Sequence, residues 1–108
     1  MNFVTTVANQ RVAILFNAEC AVQGIDRITY VDIDVAVDGV VSPPSNSDNA
    51  LCTSDGSNTL SRWVSASTNV YRIVPVPGVH QLTVRATMRN FNAGDHFRLD
   101  DISVIVLK

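Results

Sequence analysis

The residues best able to do chemistry in this chain are its acids, its two histidines, its two cysteines and a pair of aromatics. Asp32, Asp34 and Asp38-Gly39 are spaced D-x-D-x-x-x-D-G. A calcium loop needs a tight turn presenting oxygens at alternate positions and a distal bidentate acid. Here the first two carboxylates sit in the run TYVDIDVAVDG, where apolar and polar residues alternate. They are expected on a wet acidic strand face, paired with Arg85 or Arg89 of a neighbouring strand. Asp100-Asp101 interrupts another apolar run, where a carboxylate can accept backbone N–H bonds and shape a bulge. His80 and His96 are the only imidazoles. A nucleophilic triad needs a serine held beside a histidine by a shaped turn, and no G-x-S-x-G elbow exists. Two histidines without a third close ligand do not make a zinc site. No enzymatic activity is expected.

Trp63 and Tyr71 raise a different chemistry, because exposed aromatic platforms recognise sugars. The competing expectation makes Trp63 a plug between sheets. Cys20 closes an apolar stretch and Cys52 lies in a polar segment. A bridge between them would close a loop of about 33 residues, worth roughly 3–4 kcal/mol. The alternative is one buried and one loop thiol in a reducing cell. The bridge is the expectation adopted, since a free thiol in a Ser/Asn-rich loop is a liability.

These groups sit in a chain of 108 residues, 46% hydrophobic and 17% charged, which suits one globular domain over residues 1–108. A net charge of −2 with scattered basic residues gives no pull toward nucleic acid. No apolar stretch approaches the roughly 18–20 residues that span a bilayer, so no membrane insertion is expected. Residues 1–11, MNFVTTVANQR, show neither the basic nor the apolar region of a signal peptide. Either the chain stays inside, or a leader or upstream domain has been removed. The cysteines favour the second, hence an extracellular or cell-surface location.

The elements that must position the side chains read as strands. Phe3–Val7 fits an edge strand. In Val12–Cys20, residues Ile14, Phe16, Ala18 and Cys20 share a face, as do Val31, Ile33, Val35 and Val37 further on. Asp38-Gly39 is a tight-turn dipeptide. Ser42 to about Arg62 is a long Ser/Asn/Asp/Pro/Gly loop, and its polar residues Asn46, Asp48, Asn49 and Asp55 are candidate ligand contacts. Trp63–Ser67 and Tyr71–Val76 follow as strands, with Pro75 placing the second at an edge. In GVHQLTVRATMR, Leu82, Val84, Ala86 and Met88 alternate with polar residues. The last run, FRLDDISVIVLK, changes parity. Phe97 and Leu99 lie on one face and Ile102, Val104 and Val106 on the other, which requires a bulge at the Asp pair or burial on both sides. About seven to eight strands without a helix predict an all-β antiparallel sandwich.

The stretch GVHQLTVRA followed by GDHFRLDDISVIVL resembles the closing hairpin of small bacterial jelly-roll sandwiches. FNAEC at Phe16–Cys20, VDIDVAVDG at Val31–Gly39 and WVSAS at Trp63–Ser67 look like the same kind of domain. The closing LDDISV is similar to the last strand of galactose-binding-like carbohydrate-binding modules, and the overall order to tumour-necrosis-factor-like jelly rolls. The first resemblance implies sugar binding, through Trp63 or Tyr71, and structural calcium near Asp100 and Asp101. The second implies a homo-oligomer, commonly a trimer. The expectation adopted is a jelly-roll-like, non-catalytic binding or assembly module that self-associates, with a carbohydrate or protein partner open. A carbohydrate-binding module and a structural particle or tail protein are the alternatives.

Overall fold

Two antiparallel sheets, stacked face to face, carry the alternating runs. The computed structural model describes residues 1–43, 50–60 and 62–108. Among these residues lie eight strands and no helix: β1 (Asn2–Thr5), β2 (Gln10–Gln23), β3 (Tyr30–Val37), β4 (Val40–Val41), β5 (Ala50–Thr53), β6 (Val64–Val74), β7 (Gly78–Arg89) and β8 (His96–Leu107). One sheet has the order β1-β7-β3-β4, with β5 also on β3; the other is β6-β2-β8. The chain changes sheet at every connection except β3–β4 and β4–β5. That wrapping is the jelly-roll-like β-sandwich expected. It also corrects one detail: β7 and β8 lie in opposite sheets, so they form no closing hairpin.

The period of two explains which side chains meet between the sheets. Val12, Ile14, Phe16, Ala18 and Cys20 of β2 face Val31, Ile33, Val35 and Val37 of β3 across the core, and all are buried. Leu82 of β7 and Val70 and Val74 of β6 complete it. Burial of each large aliphatic contributes about 1.5–3 kcal/mol, so the two central strands hold the sheets together. At the end of β3, Asp38 and Gly39 have φ of 52° and 80°, and Val37 pairs with Val40. Positive φ at both central positions defines the two-residue hairpin that the Asp-Gly dipeptide favours.

The parity change in β8 is a bulge. Asn17 pairs with Ser103 and Glu19 with Asp100, so two β8 residues, Asp101 and Ile102, oppose Ala18 alone. Asp101 takes φ 48°, and the Asp100 carboxylate accepts its N–H at 2.9 Å. Phe97 and Leu99 before the bulge, and Val104 and Val106 after it, all pack against the core. Ile105 and Leu107 lie in the outward rows, and both are exposed, as is Ile102 in the bulge, so burial on both sides does not apply.

Two other expectations change. Trp63–Ser67 and Tyr71–Val76 merge into one eleven-residue strand, β6, which stops just before Pro75. The Ser42–Arg62 segment is not all loop, because β5 pairs with β3 inside it. Cys52 of β5 is bonded to Cys20 of β2, with Cα atoms 6.2 Å apart, so the disulfide joins one sheet to the other.

Candidate functional site

The outward face of β6-β2-β8 is built in rows of three, one residue from each strand. Register places Tyr71, Ala13 and Leu107 in one row and Asn69, Leu15 and Ile105 in the next. Ile73 flanks Arg11 at the end of the sheet. Tyr71 is 72% exposed, Ile73 57%, Leu107 53% and Ile105 46%. Ala13 is the small residue between two large ones, so the face dips there. The groove of 340 Å³ is lined by Arg11, Ala13, Tyr71, Ile73, Leu107 and Lys108, among others.

Further along the same strands the face turns polar. Asn17 sits between Ser67 and Ser103, and Glu19 between Ser65 and Asp100. Ligand oxygens of Glu19, Asp100 and Asp101 all lie within 4.8 Å of one another. This is the one group of three or more metal-ligating side chains among the described residues. Asp32, Asp34 and Asp38 do not converge in this way. The face therefore has a basic apolar end, with Arg11, and an acidic polar end.

The residues singled out from the sequence are dispersed. Trp63 is 41% exposed and precedes β6, so it does not plug the sheets. Tyr71 lies eight residues further on, and eight strand residues span roughly 26 Å. The two aromatics therefore form no common platform. Asp55 holds its own loop: it accepts the Ser57 N–H at 2.9 Å and pairs with Arg62 at 2.8 Å. Asn46, Asp48 and Asn49 lie outside the described residues.

The acids of β3 are buried, not wet. Asp34 pairs with Arg85 directly opposite at 3.4 Å, and Asp32 with Arg89 diagonally at 3.0 Å. The arginine partners are those expected, but both carboxylates are inaccessible. Among the described residues, Asp32 accepts from Arg89 through Oδ2 alone, and its buried Oδ1 has no hydrogen-bond partner. A half-satisfied buried carboxylate depends heavily on its one cation.

A third polar assembly was not foreseen. His80 is buried on the inward side of β7. Its Nδ1 lies 2.7 Å from Asp38 Oδ2, and its Nε2 lies 3.0 Å from Thr5 Oγ1. The His80 hydrogen bond, then the Gln81 N–H at 2.9 Å, hold the Asp38 carboxyl below its ordinary pKa. An ionised Asp38 accepts a hydrogen bond from Nδ1, and on the other side of the ring Nε2 shares one with the threonine hydroxyl, which also donates to Val76 O at 3.4 Å. The order hydroxyl, imidazole, carboxylate matches a hydrolytic triad in outline. Thr5, however, is 2% exposed, so no substrate carbonyl reaches its oxygen. The chain of bonds fastens β1, β7 and the β3–β4 turn to one another. Its members are 42 and 75 residues apart in sequence, which hides them from any motif search. His96, by contrast, is exposed and bonds locally, to Gly94 O at 3.3 Å.

Comparison of the chain with family models, curated proteins and solved structures finds no match.

Proposed function

We propose that this domain is a non-catalytic assembly module of an exported or surface protein, and that it self-associates through the outward face of β6-β2-β8. One observation carries the reading: large apolar side chains of β6 and β8, the two strands that flank β2, stand exposed together on a regular sheet, around the groove above Ala13. Contiguous apolar patches on a folded surface mark interaction sites, whereas scattered single ones do not. The disulfide supports an oxidising compartment and hence export. Self-association covers the patch without any further ligand, and the exposed Tyr71 is the residue type enriched at interfaces.

Light scattering over a wide range of protein concentration tests this. The expected result is a mass that rises to a discrete oligomer, and that falls to the monomer mass in Ile105→Asp. A monomer at every concentration overturns the reading. A carbohydrate-binding module is the second reading, favoured by the exposure of Trp63 and Tyr71. Quenching of the single tryptophan by a sugar panel would support it, and a flat response would remove it.

A further inference from the structure

The rows of this face are self-complementary in a particular way. Resting on the self-association proposed above, we infer that the occupant is a second copy docked sheet to sheet, strands antiparallel, with a two-fold axis crossing the strands between the Ala13 and Leu15 rows. Two features of the face select that arrangement.

The first is size. Ala13 floors a groove walled by Tyr71 and Leu107. An axis between the two rows sets the second copy's Leu15 over Ala13, and its Ile105 over Leu107. The same contacts repeat by symmetry, as an isologous interface requires.

The second is charge. One row further out, Arg11 faces the second copy's Asn17, and the next row holds Glu19 beside Asp100. Rows on one face are about 6.8 Å apart, within reach of an arginine side chain. Each copy's basic end thus covers the other's acidic end. An axis parallel to the strands would instead stack Arg11 on Arg11 and Glu19 on Glu19, which like-charge repulsion disfavours.

Three strands by the four rows from Arg11 to Asn17, which the axis superposes on one another, make a flat footprint of roughly 300 Å² per copy, from about 4.8 Å between strands and about 3.4 Å per residue. That is small for a specific interface and belongs to the weak, concentration-dependent class of association.

Sedimentation equilibrium on three variants tests the docking, with circular dichroism melts to verify folding. Arg11→Glu is expected to weaken dimerisation roughly tenfold or more, because it sets a carboxylate against the acidic end. Glu19→Lys should weaken it less, since Asp100 and Asp101 keep that end negative. The double variant R11E/E19K should recover affinity relative to R11E alone. A dimer indifferent to all three, a double variant no tighter than R11E, or a trimer would overturn the two-fold docking and leave self-association standing. A monomer at every concentration would remove both.

Discussion

The outward rows of the two sheets treat their side chains in opposite ways. On β3 and β7 the outward positions Asp32, Asp34, Thr83, Arg85, Thr87 and Arg89 make a polar stretch, yet Asp32 and Asp34 are buried beneath Arg89 and Arg85. On β2, β6 and β8 the outward positions around Ala13 are apolar, yet Tyr71, Ile73, Ile105 and Leu107 stand in water. Both sheets obey the same alternation, and their inward rows are equally dry. The contrast teaches that a period of two divides a strand into faces without saying which is covered. Buried charge on one outer face is tied off within the chain, whereas bare aliphatic surface on the other is not.

The contrast can be broken most sharply at Arg89. Removing it leaves Asp32 buried without the one cation that bonds it among the described residues, so Arg89→Met should cost roughly 3–5 kcal/mol in urea unfolding. Adding Asp32→Leu should recover most of that loss, because neither charge then remains to be desolvated. A small effect from Arg89→Met would mean that the Asp32 carboxylate is hydrated, and the two faces would be alike. Next in size is the bulge. Asp101 lies in the left-handed region, where glycine is free and β-branched residues are strained. Asp101→Gly should be near neutral or stabilise by about 0.5–1 kcal/mol, and Asp101→Val should destabilise by about 1–2 kcal/mol. Equal melting temperatures for the two variants would mean that the bulge sits elsewhere.

Smaller again is an acid limb from Asp38, whose carboxylate is open to solvent. The His80 and Gln81 hydrogen bonds hold its folded pKa below the ordinary value of 3.8, so its contribution is fully present above 3.8 and lost as pH falls through the folded pKa. Asp38→Asn should flatten that part of the stability–pH curve, and an unchanged limb would show that other carboxylates produce it. The smallest effect is expected on the bare face. Ile73→Ser should change monomer stability by no more than about 0.5 kcal/mol, measured where the protein is dilute. A larger loss would show that Ile73 is packed within the monomer.

Much of this fold could be read from residue order. The β3 alternation, the Asp38-Gly39 hairpin and the parity flip at Asp101 are local patterns with local causes, and each appears where the spacing puts it. Thr68, Asn69 and Val70 read as a break between two strands, yet they continue β6 because β2 offers partners along its whole length. Whether Asp32 is wet depends on Arg89 across a strand pair and on what lies over the sheet, which no local window contains. Thr5, Asp38 and His80 meet only because β1 and β3 both flank β7. The candidate face was legible only in part. Tyr71 was marked for its ring, while Ala13, Leu15 and Ile105 are ordinary strand residues until the register aligns them.

The covalent link from Cys20 to Cys52 encloses all of β3 and the turn that follows it. A protease cutting once anywhere in that enclosed stretch would leave both fragments attached. On a gel the nicked chain would migrate as two pieces only after a reductant is added. Damage to the exposed Val40 turn is thereby prevented from shedding either part of the molecule.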